Sequence, residues 1–501
     1  GITFSGRKLP AGPGSVPPMT ASETDRTEHA EDASVAWRVF AVLWAISLLY
    51  DGAVRTMTHD PHQLLVTIAA VAALIKPGAP WRLALAAAAQ LLLVADTPPN
   101  RMMIHWYFNG AVNVAILLGW LSCAVRARSP RVDPAAALRA VRPAAMLVGL
   151  SALTFAGFSK INRSFLDPEL SCGAVLYLIQ AESWSFLPDA EWAKRAAIWG
   201  TLLAEIGGPL LLCFRRTRPL ALVLLGGFFF TIGANPVNHL YEFAGPVLTA
   251  CLLALGARPT AAAWRAVASS PLRWIPELLR PLRVPLLLVA LAGFAWLAIE
   301  GDSKGTRPLR QDLARWTWLL GEPALIASLL WATLRTPGAS LRTLAASGPR
   351  WLLLLPLIFV LHEATPYAGM RHRISFTMAG NLRTLDGYGN HLLIRQVPDL
   401  YWNRRVEIVG SDNDDWLKKH ARRRSIMTFF SFADHMARNP DSEARILIRG
   451  APESIPRAGD DPRFARRPPL AEWFRFRPDG RGSRLDCSHR RKLDKLRKTK
   501  R

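Results

Sequence analysis

Three ionisable residues stand where an apolar chain gives little reason to keep them. Lys160 directly follows Ala156-Gly157-Phe158-Ser159 at the end of an apolar run, His105 lies in Ile104-His105-Trp106-Tyr107-Phe108-Asn109, and Glu205 interrupts Leu202-Leu203-Ala204-Glu205-Ile206-Gly207-Gly208-Pro209. Each is costly in an apolar surrounding, so each is a functional candidate before anything else is known. An amine that loses water is favoured in its neutral form, which is the form a general base needs. The same lysine would equally serve, with no chemistry, as a snorkelling cation. His105 could hydrogen-bond a developing anion, or simply belong to an interfacial belt with Trp106 and Tyr107. Glu205 must find a partner or carry a proton, and a structural bond to another helix would explain it as well as a substrate contact would.

Weaker signals surround these three. The connector 234–242 has no Lys or Arg, and its Asn235, Asn238 and His239 could line the same outer face as Lys160, although polar loop residues are usually just solvated. Asp412-Asn413-Asp414-Asp415 lacks the Gly and the distal Glu of a calcium loop. No zinc spacing, phosphate-binding glycine loop or nucleophile elbow is present, so no metal is expected.

The elements that must position these groups follow from hydropathy. The chain has 501 residues, half of them hydrophobic, with a formal charge of +24. It is too apolar for an ordinary soluble protein and too charged to be membrane throughout. The charge is spread over connectors and the C-terminal part, so anionic lipid headgroups are expected as its partners and a nucleic acid is not. Apolar runs at 35–53, 64–75, 83–96, 107–124, 144–158, 196–214, 219–233, 243–256, 284–299, 316–334 and 351–363 predict nine to eleven transmembrane helices, several of them short. Arg126, Arg128, Arg131, Arg139 and Arg142, then Arg215, Arg216 and Arg218, then Arg258, Arg265, Arg273 and Arg280 fall in even-numbered connectors. Those connectors and the N-terminus are therefore expected in the cytoplasm. His105, Lys160 and everything from His362 onward are then extracytoplasmic, and the amine and imidazole are expected to meet on one face.

The domain reading is a disordered segment at 1–34, with Met19 a candidate start, a helical membrane domain at 35–363, a small β-rich extracytoplasmic domain at 364–450 and a disordered basic tail at 451–501. Strands are expected at 373–378, 391–394, 405–409 and 444–448. Cys123, Cys213 and Cys251 sit in apolar runs; Cys172 and Cys487 lie in polar ones, too few for a disulfide framework, although one bridge between them is open. The Arg, Ala and Leu bias suggests a GC-rich bacterial genome, and hence a bacterial cytoplasmic membrane.

At Phe155-Ala156-Gly157-Phe158-Ser159-Lys160-Ile161 the chain resembles the horizontally transferred transmembrane domain family, whose best-known members are the vitamin K-dependent gamma-carboxylases. His105-Trp106-Tyr107 is similar to the family's functional His before an aromatic-rich helix. Thr365-Pro366-Tyr367-Ala368-Gly369, Ser375 to Thr384 and Gly389-Asn390-His391-Leu392 look like its C-terminal signature. The likeness spans about 35–410. It implies Lys160 as the base that deprotonates reduced vitamin K or another quinol, and His105 as a stabiliser of developing charge. With Glu205 and His239, it suggests Asn381, Arg383, Asn390 and His391 as substrate-binding residues. Two departures stand out: no His accompanies Gly227-Phe228-Phe229-Phe230-Thr231, where the family often has a Phe-His pair, and the C-terminal part is shorter and richer in Arg than a protein-binding lumenal domain.

The function expected is a quinol-dependent membrane enzyme, of epoxidation or carboxylation type, that modifies an extracytoplasmic protein or peptide. The competing class is a non-catalytic scaffold, lipid-binding protein or transporter. A transport pathway should show paired charges within the spans, and Glu205 has no evident basic partner in the sequence.

Overall fold

A computed structural model describes residues 21–54, 61–97, 104–235, 240–269 and 306–369, and most of 377–500 apart from short gaps. Helices dominate: α1 (Ala21–Val54), α2 (Pro61–Ile75), α3 (Pro80–Asp96), α4 (Ile104–Ala127), α5 (Pro134–Ser159), α6 (Arg163–Leu166), α7 (Cys172–Ala181), α8 (Glu191–Leu202), α9 (Gly208–Cys213), α10 (Arg218–Gly233), α11 (Tyr241–Leu252), α12 (Ala257–Ser269), α13 (Thr306–Arg335), α14 (Leu341–Ala345) and α15 (Leu354–Ala364). α1 begins well inside the segment expected to be disordered. Among the described residues six helices are long and apolar enough to cross a membrane, or seven if the bent pair α11–α12 is one span.

That is fewer than the nine to eleven expected. α2, α3 and α10 have 15, 17 and 16 residues, or about 22–26 Å at 1.5 Å per residue, short of an apolar core of about 30 Å. The expected span at 284–299 lies outside the described residues. α11 runs on through Leu255 and meets α12 at 111°. The bend falls at Gly256, whose φ of +94° suits a residue without a Cβ.

Helix ends follow the local chemistry. Pro80 and Pro134 start α3 and α5, where a missing N–H costs nothing, and the Asp133 carboxylate accepts from Ala136 N at 2.9 Å. α5 is the axis of the bundle: Leu138, Val141, Ala145, Val148, Ala152 and Leu153 are fully buried against α1, α4 and α11. The outer faces of the helices carry Leu85, Leu121, Leu210, Leu220, Leu320 and Leu361, each more than two-fifths exposed.

The C-terminal unit carries helices beside an antiparallel sheet. Strands β1 (Arg405–Gly410), β2 (Ser425–Thr428), β3 (Ala444–Ile448), β4 (Ala451–Ile455) and β5 (Asp479–Gly480) form an antiparallel sheet of order β4-β3-β1-β2-β5. Two helices, α16 (Asp415–Arg422) and α17 (Phe429–Arg438), lie between its strands in sequence, and Val406, Ile408, Leu417, Met427, Phe432 and Ile446 build its core. The expected strand at 391–394 is only a single bridge between His391 and Asn162, and most of 373–378 lies outside the described residues.

The basic tail is not disordered throughout. It contributes β4 and β5 and ends in α18 (Arg490–Lys500). Cys487 is disulfide-bonded to Cys172. Leu493 packs in the cluster of Phe165, Val175 and Ile179, while Arg497 pairs with Glu182 at 2.9 Å and Asp189 at 2.7 Å. Composition missed this because the helix is held by the bridge and two acidic partners far away in sequence.

Candidate functional site

Lys160 and Glu205 form one buried pair. Lys160 is the residue after α5, held in helical conformation as its backbone N–H bonds Gly157 O. Glu205 lies in a π-helical turn, Leu203–Gly207, between α8 and α9. The turn has a local cause. Pro209 has no N–H for the carbonyl of residue 205 and its ring crowds that carbonyl, so the ladder shifts register: Gly208 N–H bonds Leu203 O as well as Ala204 O. The bulge meets α5 where Gly157 leaves room, since a Cβ on Gly157 would come within 2.5 Å of Ile206 Cγ1 and 3.0 Å of Glu205 Cβ. Lys160 Nζ then lies 2.7 Å from Glu205 Oε2, donates to Ala156 O at 3.1 Å and stands 5.9 Å from the centre of the Phe165 ring. The two residues are only 3% and 4% exposed. The partner that Glu205 lacked in the sequence is therefore Lys160.

Both side chains line a cavity of about 620 Å³ walled by α7, α8, α10 and α11. Its lining is chiefly apolar, with Phe165, Leu176, Trp192, Val223, Phe228 and Phe243 among it. Gly227, Phe228 and Thr231, from the stretch where the resemblance expects a Phe-His pair, also face it. One further polar side chain was not anticipated. Gln180 is 1% exposed, lines the cavity, and neither its amide nitrogen nor its carbonyl oxygen has a hydrogen-bond partner among the described residues. An unmade bond at such a group costs about 1–3 kcal/mol, and both amide atoms are shut off from the open space of the cavity. A lone Gln in Tyr177-Leu178-Ile179-Gln180 was the available signal.

His105 does not line this cavity. Its Nε2 is 3.4 Å from Asp51 Oδ1, which also accepts from Trp106 Nε1 at 3.2 Å. Asp51, His105 and Glu242 are all buried, and one ligand atom from each lies within 4.8 Å of the others, the one such group among the described residues that could share a cation. The amine and the imidazole thus belong to two clusters, on α5 and on α4. They are neighbours in the bundle, since α4 packs on α5 and the Phe243 beside Glu242 walls the cavity.

Asn381, Asn390 and His391 hold the backbone around Lys160. Asn162, which is fully buried, caps α6 by accepting from Phe165 N at 2.9 Å; its Nδ2 donates to Ser159 O at 2.8 Å and to Gly380 O. Asn390 Nδ2 donates to Asn162 Oδ1 at 3.2 Å, Ser164 Oγ at 3.0 Å and Asn381 O at 2.8 Å. Asn381 Oδ1 accepts from Cys172 N, and its Nδ2 donates to Leu170 O, both at 3.0 Å. His391 Nδ1 accepts from Leu393 N and Ile394 N, leaving Nε2–H to donate to Phe158 O at 2.9 Å, which fixes a neutral ring. Burial holds the His391 imidazole below its ordinary pKa, against the Phe158 carbonyl that favours the proton. None of the three lines the cavity, where only Ala379 of this segment appears. Sequence reading missed Asn162 and Ser164, the polar centre of this clasp. Arg383, His239 and Asn238 lie outside the described residues, while Asn235 lines the cavity and donates to Leu176 O at 3.4 Å.

In the C-terminal unit Asp414 accepts from Ser442 Oγ at 2.6 Å and Leu417 N at 2.9 Å, and lies 2.8 Å from His435 Nε2. Burial works against its charge, but these bonds together hold the carboxyl below its ordinary pKa. Asp414 is therefore a structural cap. Comparison with family profiles, curated proteins and solved structures finds no match to this chain.

Proposed function

We propose that the chain is a multi-pass protein of a bacterial cytoplasmic membrane that performs proton transfer on a lipid-soluble quinol, with Lys160 as base and Glu205 as its proton partner. The observation that carries this reading is the buried Lys160–Glu205 contact on the wall of a large apolar cavity. The cavity has the size and lining expected for an aromatic ring with part of an apolar tail. When bound, a quinol supplies an acidic hydroxyl and two electrons. Lys160 and Glu205 can share a proton over 2.7 Å. With the proton on the carboxyl, Nζ is a neutral amine able to accept another; with it on the amine, the cation offsets a nearby anion. The apolar walls exclude water from both states.

Orientation is supported by chemistry independent of the arginine count. A Cys172–Cys487 disulfide suits an oxidising compartment, which supports a reading with the Lys160 end of α5 and the C-terminal unit outside and the N-terminus in the cytoplasm. An extracytoplasmic protein or peptide would be modified from that side, and the surrounding partner is lipid. The resemblance to the gamma-carboxylases makes an epoxidation- or carboxylation-type reaction the specific form of this reading. His105 then acts from its own cluster beside Asp51, on whatever part of the substrate reaches α4.

The test is quinol turnover by the purified protein in lipid. Supplied with dioxygen as the oxidant, wild type should convert a quinol to its epoxide and water, while Lys160→Ala and Glu205→Gln should lose at least a hundredfold with their fold retained. No turnover with any quinol would leave the second reading, transport or lipid binding. One observation favours that alternative: opposite charges do pair between α5 and the turn after α8, as a pathway requires.

A further inference from the structure

We infer that a small pocket around Arg142 binds one halide-sized anion. The pocket lies where α1, α5, α11, α12 and α13 meet, with Phe40, Leu138, Thr249, Thr260 and Leu329 on its wall, and Arg142 is the only charged residue that lines it. Arg142 is 6% exposed and forms no hydrogen bond or ion pair among the described residues. Its Nε is closed off, so the accessible surface of the guanidinium is that of its two Nη nitrogens. The charged neighbour of Arg142 on α5 is Arg139, a second cation. On α1 the acid one turn before Ala36, Asp32, is already paired with Arg265 of α12. The pocket stands well apart from Lys160, which is at the other end of α5, about 27 Å along the axis.

A guanidinium stays charged and offers donors with no acceptor. Buried without a counter-ion it is strongly unfavourable, so an anion is the species that completes it. The pocket also receives the start of α12, a helix of 13 residues, through Gly256 and Thr260. The first N–H groups of a helix have no partner within it, and that end carries partial positive charge. Thr249 and Thr260 add no donors, because their hydroxyls donate to Gly245 O and Gly256 O, each at 2.8 Å. Size then selects the ligand. The pocket has a volume of about 20 Å³, against the roughly 10–15 Å³ that one water needs. A single monatomic anion fits, and a phosphate or a lipid headgroup does not. Apolar walls favour a weakly hydrated ion, which means chloride or bromide rather than fluoride. Water also fits, but it leaves the charge of Arg142 uncompensated.

The test is melting of the purified full chain in detergent, in sodium salts of equal ionic strength, beside line broadening in chloride NMR. Wild type should melt several degrees higher in chloride or bromide than in gluconate, fluoride or sulfate, and should broaden the chloride line until bromide displaces it. Arg142→Met removes the cation, so its melting temperature should be the same in every salt and no lower than that of wild type in gluconate. Its excess broadening should fall at least about tenfold. Ala36→Leu fills the pocket from α1 and leaves Arg142 in place; it too should lose the chloride effect. Equal melting of wild type in all these salts without excess broadening would overturn the proposal and leave a water in the pocket. A chloride effect that survives both variants, or a stronger effect from sulfate, would overturn it as well. The salt series on wild type and on Ala36→Leu decides the matter even where Arg142→Met does not fold, and none of these readouts depends on turnover at Lys160.

Discussion

Removing one half of the Lys160–Glu205 pair should cost more than removing both. At 2.7 Å and an effective dielectric constant of about 20, the attraction between full charges is about 6 kcal/mol. Much of that offsets the desolvation of two groups that are almost fully buried, and stranding one charge is expected to cost about 3–5 kcal/mol. Lys160→Met keeps the length of the side chain and leaves Glu205 with no cation; Glu205→Gln keeps the shape and leaves the ammonium unpaired. In the double variant neither charge remains, and it should be no less stable than either single one, with a coupling of at least about 2 kcal/mol. The assay is thermal unfolding of the four proteins under one detergent condition. Both single variants should melt several degrees below wild type, and the double variant at or above the higher of the two. If the double variant loses the sum of the single losses, the pair is not coupled and the buried contact has no energetic meaning. The proton-sharing mechanism would fall with it.

Gln180→Leu removes two buried unsatisfied polar atoms, so the melting temperature should hold or rise by the equivalent of about 1 kcal/mol; a melting curve checks the sign. Asn162→Ala removes the α6 cap and two buried donor contacts and should cost about 2–4 kcal/mol, read as a lower melting temperature together with faster exchange of the 379–394 amides. Burial first, and then the Lys492 charge, pushes the His489 imidazole down to about 4. Its neutral form is therefore the folded form: stability is complete above the ordinary value of about 6.5 and is lost as pH falls toward 4, by about 2 kcal/mol at pH 5. Hydrogen exchange in 490–500, corrected for intrinsic rates, should show the terminal helix loosening at pH 5 relative to pH 7.5, and equal protection at both would refute it.

Much of the helical layer was legible because apolar runs between Pro, Gly and Arg report burial directly. The ends of α5 and α10 fall within a residue of where hydropathy ends. Span counting runs ahead of the structure at α2, α3 and α10, whose 15, 17 and 16 residues fall below full membrane length. The candidate site was legible only residue by residue. Lys160 and Glu205 were both conspicuous as charges in apolar runs, but their contact depends on Gly157 admitting the 203–207 turn, and no linear spacing records a helix-to-helix approach. His105 was conspicuous for the same reason, yet its partner is Asp51, a residue unremarkable at the end of α1. Asn162 escaped because one polar residue after a helix looks like an ordinary cap until the 379–394 segment folds back onto it. The ordered end of the tail was hidden because a Cys and an Arg in a basic stretch do not announce partners more than 300 positions away.

The widened turn at Leu203–Gly207 has a consequence for insertions and deletions. A π turn contains one residue more than the regular coil it interrupts, so excising Ala204 should let α8 and α9 fuse into a single uninterrupted rod. The flanking helices would keep their register, but Glu205, inside the turn, would be re-aimed by about 100° around the axis relative to α8. The carboxylate would leave the amine without any substitution at either position. This segment can therefore be disabled by a change of length alone, and related sequences compared across it should be aligned with a movable gap rather than a fixed register.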